Sequence, residues 1–248
     1  MTTSIDTATG KEAPAELSTD RVHDIFSSIA DKYERFNALS SMGAYKAWLH
    51  KMVEMSGIKE TDDVLDIAGG TGDVAFAVAK RKHPRHIQCT DLVDEMLNVA
   101  CMHYIEADGF GVPIDFDTVD AQDIPYDDES YDVVTMAYGL RNMPERERAL
   151  SEIYRVLRPG GRLVCLDFST PGNRAWRTLY NVYLKHMVPL WGKIVTGDSS
   201  GFRYLADSIK AFPDQEGVAE MMNDAGFGNV IWSDCTGGIA CVHVAEKN

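Results

Sequence analysis

The sequence predicts an α/β fold: a mainly parallel sheet of seven strands with helices on both faces, an antiparallel edge at the C-terminal end and a helical cover at the N-terminal end. Three observations carry this. Apolar strand-like runs alternate with helical ones from Val64 to Phe168, and crossovers of that length are too long for hairpins, so successive strands run parallel. A glycine-rich turn, Gly69-Gly70-Thr71-Gly72, stands at the first strand-to-helix junction. Two late apolar segments, 230–233 and 238–244, are close enough in sequence to close the sheet as an antiparallel pair.

Taken in order, residues 1–17 have neither a basic start nor an apolar core and are expected to form a disordered, solvated tail rather than a secretory signal. Residues 18–248 form one domain, since no repeat and no linker rich in Pro, Gly or Ser divides them. Over 18–56 the residues Val22, Ile25, Phe26, Ile29 and Tyr33 recur at three- and four-residue steps, the period of a helix, with Ser18 or Thr19 available to cap it. Strands follow at 64–67, 86–90, 114–119, 131–137 and 162–168, with helices at 73–82, 94–107 and 145–157. Arg158-Pro159-Gly160-Gly161 reads as a helix end followed by a tight turn. Residues 170–212 are expected to form a lid over a substrate region, with an amphipathic stretch at 174–195 and a loop around 197–202. A helix over 214–225 leads into the closing pair.

Composition excludes several classes of function. Lys plus Arg number 24 against 38 Asp plus Glu, a net charge of −14, and no basic stripe is available to neutralise a phosphate backbone, so nucleic acid is excluded as a partner. The five cysteines form no Cys-x-x-Cys pair and read as buried free thiols of a reducing, cytoplasmic compartment. No window reaches 18 uncharged apolar residues, so no membrane span is expected.

The chemistry is expected at the carboxyl ends of the strands, where open α/β sheets bind ligands. In Asp66-Ile67-Ala68-Gly69-Gly70-Thr71-Gly72-Asp73 the glycines let backbone N–H groups approach a ligand closely. The three-glycine spacing of a dinucleotide site is absent, and a carboxylate, Asp66, stands at the strand end instead. An acidic turn suits S-adenosyl-L-methionine, which carries a sulfonium and an ammonium and no pyrophosphate. Asp91 closes the second strand, about 20 residues on, where an acidic side chain meets ribose hydroxyls. Asp120 and Ala121 follow the third strand, where a carboxylate can accept from an adenine amine. Tyr138-Gly139-Leu140-Arg141-Asn142 follows the fourth, with Arg141 and Asn142 placed to hold an oxygen-bearing substrate. No metal site is expected.

With these residues in place, the sequence resembles the ubiquinone/menaquinone biosynthesis C-methyltransferase family. The likeness runs from about Val22 to His243 and includes FSSIADKYERFNALSSMGAYKAW, LDIAGGTGD, AYGLRN, YRVLRPGGRLVCLDFSTP, FRYLADSIKAFPDQ and TGGIACVH. The resemblance implies a Rossmann-like class I methyltransferase fold and transfer of a methyl group from S-adenosyl-L-methionine to a ring carbon of a polyprenylated quinol, demethylmenaquinol or its benzoquinol counterpart. It implies Thr71, Asp91, Asp120 and Ala121 as cofactor contacts. The family's fourth contact, ordinarily a serine, falls on Ala137, which lacks the hydroxyl. The segment Tyr33-Glu34-Arg35-Phe36-Asn37 departs from the family's Tyr-Asp-x-Met-Asn.

The expected cofactor-binding set is therefore Asp66, Gly70, Thr71, Gly72, Asp91, Asp120, Ala121 and Ala137. Arg141, Asn142 and Tyr138 form the expected catalytic set, with His186 a secondary candidate. Arg141 would stabilise the phenolate of the reduced acceptor and orient a proton-accepting water, and Asn142 would hold the other oxygen; an arginine is itself a poor base. The apolar stretch from Tyr180 to Ile194 could line a tail groove, touch a membrane surface or pack as a lid, and a net charge of −14 disfavours tight binding to anionic lipid. The expected partners are the quinol, a membrane surface visited transiently and a second copy of the chain. Two other readings stay open: a methyltransferase for a different small acceptor, and a non-catalytic protein that binds the same cofactor.

Overall fold

The computed structural model describes residues 18–29, 38, 41, 43–187 and 200–248. The tail, Tyr33 to Asn37 and residues 188–199 lie outside them. Two helices, α1 (Thr19–Ile29) and α2 (Tyr45–Met55), precede the sheet. Strand and helix then alternate as β1 (Asp63–Ile67), α3 (Asp73–Lys82), β2 (His86–Asp91), α4 (Asp94–Glu106), β3 (Ile114–Thr118), β4 (Tyr131–Ala137), α5 (Arg146–Val156) and β5 (Leu157–Phe168). After these come α6 (Arg174–Val182), a π-helical turn (Tyr183–Met187), α7 (Ser200–Ala211), α8 (Gln215–Asp224), β6 (Gly228–Cys235) and β7 (Ala240–Glu246).

All seven strands form one sheet in the order β3-β2-β1-β4-β5-β7-β6. The pairs from β3 to β5 are parallel, and β7 is antiparallel to both β5 and β6. The central strands are buried on both faces, which is why they read as continuous apolar runs. Along β1, Val64 enters the core that holds α2, α3 and α4, and its neighbour Leu65 enters the opposite core with α5 and α8. The strand order reverses between β1 and β4, so a crevice opens there at the carboxyl ends of the strands.

Two elements differ from expectation. Residues 200–202 are helical, as the first turn of α7. Arg158 to Gly161 lies within β5 as a bulge: Tyr131 pairs with Leu157 and Val133 with Arg162. The bulge is held by the C-terminal segment, with the Gly160 N–H donating to the Lys247 carbonyl (2.7 Å) and the Lys247 N–H to the Gly161 carbonyl (2.8 Å). A Cβ at Gly161 would stand 2.8 Å from the carbonyl oxygens of both Arg158 and Asp132. Those are backbone atoms that cannot swing away. Gly161→Ala is therefore expected to cost about 2 kcal/mol or more in urea unfolding; a change below about 0.5 kcal/mol would show that the bulge can widen freely.

Candidate active site

The glycine turn after β1 is built on the side chain beneath it. Asp66 is fully buried, and its carboxylate accepts a hydrogen bond from the Thr135 hydroxyl on the neighbouring β4 (2.6 Å). Above it, the Gly69 N–H donates to the Thr90 carbonyl (2.8 Å) and the Gly72 N–H to the Gly69 carbonyl (2.9 Å). A Cβ at Gly69 would meet Cys89 Sγ at 2.6 Å and Asp66 Oδ2 at 2.9 Å, so glycine is required by close approach. Asp66 thus braces the turn from below and lines neither of the cavities above it.

Burial pushes the Asp66 carboxyl up to about 7, against the opposing effect of the Thr135 hydrogen bond. Burial also pushes the Asp91 carboxyl up, opposed by the N–H groups of Val93, Gly70 and Leu92. Asp91 Oδ2 accepts from the Gly70 N–H (2.8 Å) and its Oδ1 from the Val93 N–H (3.0 Å). The end of β2 is thereby tied to the turn after β1.

Two adjoining cavities open at this rim. The larger encloses about 690 Å³ of space, part of it continuous with solvent, and is lined by Gly70, Asp91, Asp120, Ala121, Ala137, Tyr138 and Asn142 among others. Its apolar walls come from Phe26 of α1, Met96 of α4 and Met143. The smaller is lined by Gly69, Gly70, Thr71, Asp73, Ala137 and Tyr138. In it the Thr71 hydroxyl is buried with no hydrogen-bond partner. Among the described residues lining the two cavities are three aspartates and no Lys, Arg or His. Carboxylates gathered at apolar walls favour a cationic ligand and oppose a pyrophosphate.

Gly72, at φ +89°, precedes α3 and lines neither cavity. Asp120 accepts from the N–H and the side-chain amide of Gln122, at 2.9 and 3.0 Å. Ala68 and Tyr138, which follow β1 and β4, both have positive φ, +54° and +59°.

Arg141 lies in the turn that follows β4, beyond the walls of these two cavities. It is 3 % exposed, lines neither cavity and is ion-paired with Asp167 at 2.9 Å. Its N–H groups also donate to the Tyr138 carbonyl, and its guanidinium lies 5.3 Å from the centre of the Phe168 ring. Its backbone N–H donates to the other oxygen of Asp167 (3.1 Å). Asn142 donates to the Tyr138 carbonyl (2.9 Å) and accepts from the Tyr204 hydroxyl of α7 (3.0 Å). His186 is exposed.

Sequence reasoning missed Asp167, Gln122, Tyr204 and the part played by α1 in the cleft wall. Asp167 was within reach of a sequence signal, because it sits in the apolar strand run VCLDF, where a charge needs a partner. The residue opposite it could not be read without the register of β4 on β5.

A family model described as the ubiE/COQ5 methyltransferase family matches residues 15–247. The ubiquinone/menaquinone biosynthesis C-methyltransferase UbiE of Ectopseudomonas mendocina (strain ymp) is 40% identical over 96% of this chain and 93% of its own length. The protein of the same name from Cellvibrio japonicus (strain Ueda107) is 39% identical over 96% and 95%. Among solved structures, the [4+2]-cyclase SpnF superposes with a TM-score of 0.69 at 18% identity, over 94% of this chain and 97% of that one. A SAM-dependent methyltransferase from Aquifex aeolicus gives 0.61 at 17%, over 87% and 98%. These two likenesses show a shared fold.

Asp66 generates a signed expectation. Its ordinary value is 3.8 and its folded value about 7, so the folded state holds the proton more tightly. Stability from this group is full below about pH 4 and is lost as pH rises toward 7, at about 1.4 kcal/mol per unit where steepest. Asp66→Asn is expected to flatten this decline between pH 5 and 7 in denaturant titrations. A decline equal to that of the wild type would show that Asp66 is ionised throughout.

Proposed function

The chain belongs to the ubiE/COQ5 methyltransferase family and is an S-adenosyl-L-methionine-dependent C-methyltransferase, and from that premise we propose that its acceptor is a ring carbon of a reduced, polyprenylated quinol, demethylmenaquinol in the first place and the benzoquinol counterpart in the second. The observation that carries the acceptor side is an aromatic enclosure around a buried cation. Tyr138 and Phe168 lie 5.4 Å apart between ring centres, Trp48 meets Phe168 edge-on at 6.0 Å, and the Arg141 guanidinium lies against both Tyr138 and Phe168. A flat ring that becomes anionic suits such a place.

The cleft fits the cofactor. Asp91 would take the ribose hydroxyls, Asp120 and Ala121 the adenine edge, and Thr71, Gly70 and Ala137 the amino-acid end, while Asp66 and Gly72 shape the turn. When bound, S-adenosyl-L-methionine supplies an electrophilic methyl group. Tyr138 lines both cavities while its ring meets Phe168 on the side of Arg141, and so it would stand between the donor and the acceptor.

Carbon alkylation needs a nucleophilic carbon, which a quinone lacks and a quinol offers once a hydroxyl is deprotonated. Arg141 stabilises that phenolate as a fixed cation whose orientation Asp167 sets, and the pair orients the water that takes the proton. In-line alignment and exclusion of water contribute up to about 7–11 kcal/mol in favourable cases. The prenyl tail implies contact with a membrane surface from the cytoplasmic side. No helix among the described residues is long and apolar enough to cross a bilayer. Helix α6 and the π-helical turn after it, however, expose Leu179, Val182 and Met187 in a stretch that also carries Arg174, Arg177 and Lys185, and no acidic residue stands between Asp167 and Asp198. That local charge opposes the net −14.

Labelled S-adenosyl-L-methionine offered with demethylmenaquinone should label the ring when reductant is present to convert it to the quinol and leave it unlabelled without. Equal labelling in both conditions would contradict the phenolate route. Arg141→Ala is expected to leave calorimetric affinity for S-adenosylhomocysteine unchanged while turnover falls by about 10²–10³-fold. The same change should lower unfolding free energy by about 3–5 kcal/mol, because Asp167 is left buried without its cation. Loss of cofactor affinity would remove Arg141 from the acceptor side.

A further inference from the structure

The Arg141–Asp167 pair has company that the fold itself does not use. Tyr180 on α6 is 4 % exposed, and its hydroxyl makes no hydrogen bond. Ser169, the residue after β5, is equally buried, and its Oγ also has no partner. A buried hydroxyl without a partner has given up its water and received nothing, and such groups are rare enough in native proteins that each needs a reason. Packing supplies none, because phenylalanine and alanine would fill the same space without the loss.

Both belong to segments that adjoin the pair: Ser169 is two residues beyond Asp167, and Tyr180 lies on α6, the helix that follows. The charges of Arg141 and Asp167 both act on the Tyr180 hydroxyl, which puts it within electrostatic reach of the pair. Burial pushes its phenol well up from the ordinary range, so it is a neutral donor at physiological pH. Its ring stacks on Tyr183 at 6.5 Å. Ser169 directly follows Phe168, whose ring lies against the Arg141 guanidinium, and its N–H donates to the Ile239 carbonyl (2.9 Å). Asn142, the residue first expected to hold the far oxygen of the acceptor, has its amide engaged by the Tyr138 carbonyl and the Tyr204 hydroxyl.

We propose that the Tyr180 and Ser169 hydroxyls receive the second oxygen of the acceptor ring, the one that stays protonated, while Arg141 faces the one that ionises. This rests on the quinol reading above. In a 1,4-quinol the two oxygens sit at opposite ends of the ring, and a site that grips one leaves the ring free to swing about it, carrying the reacting carbon out of line. Two grips define the ring plane. The aromatic walls alone would accept any flat ring, so these hydroxyls select for an acceptor with oxygen at both ends.

The test uses the whole chain and two reduced, prenylated acceptors: the quinol, and a monohydroxy analogue that keeps only the hydroxyl adjacent to the reacting carbon. For the quinol, Tyr180→Phe is expected to lower kcat/KM by about 10–100-fold and Ser169→Ala by a smaller factor. For the analogue, both variants should match the wild type within about twofold. Affinity for S-adenosylhomocysteine should stay constant, and the Tm of Tyr180→Phe should equal or exceed that of the wild type, since an unsatisfied hydroxyl has been removed. The same fold-loss on both acceptors, or a lowered Tm, would make Tyr180 a packing residue and overturn the proposal, as would an undiminished rate on the quinol. A wild-type enzyme that methylates neither acceptor overturns the quinol reading, a result distinct from any difference between variants.

Discussion

The ligand-facing rim hangs from one buried carboxyl group. Asp66 and Thr135 are register partners on adjacent parallel strands, and the hydrogen bond between their side chains joins β1 to β4 directly beneath the point where the strand order reverses. The glycine turn rests on that carboxyl closely enough to exclude a Cβ at Gly69. Asp91 can then reach Gly70 from the end of β2, and the donors and acceptors of three strand ends share one cleft. A carboxyl held in an apolar interior is costly to ionise, which is why its titration is displaced and why the arrangement is coupled to pH.

A second buried pair organises the turn that follows β4. Arg141 comes from the turn after β4 and Asp167 from the end of β5, and around them meet several other segments. Arg146 donates to the Arg141 carbonyl (3.1 Å), and Tyr204 reaches Asn142 from α7. Trp48 and Trp176 both donate to Thr236, one to its hydroxyl and the other to its carbonyl. GLRN, RYLADSI and TGGIACVH, which mark the family in the sequence, are thus brought to one end of the sheet by packing. A buried ion pair adds little net stability, yet losing either partner is costly, so its presence here is better explained by orientation than by stability.

Much of the fold was legible because burial on both faces leaves a plain trace. Residues 131–137 read as a strand and are one, and the helix expected at 73–82 has those bounds. The first turn of α7 was read as a loop because Ser200 and Gly201 carry no helical pattern of their own. The bulge at Arg158 to Gly161 was read as a turn because Pro and Gly end helices and turn chains alike; its membership of β5 depends on Lys247, almost ninety residues away.

For the site, the sequence alone determined the types of residue at each strand end, since a strand is short and its carboxyl end is marked by where the apolar run stops. Asp91, Asp120 and the glycine turn follow from that local rule. Which of those side chains face ligand and which face protein was decided only by tertiary structure. Asp66 points beneath the turn, and Arg141 is held by Asp167, because the partner that satisfies a buried charge is chosen by strand register and crossover length. Neither of those quantities is written in the neighbourhood of the residue itself.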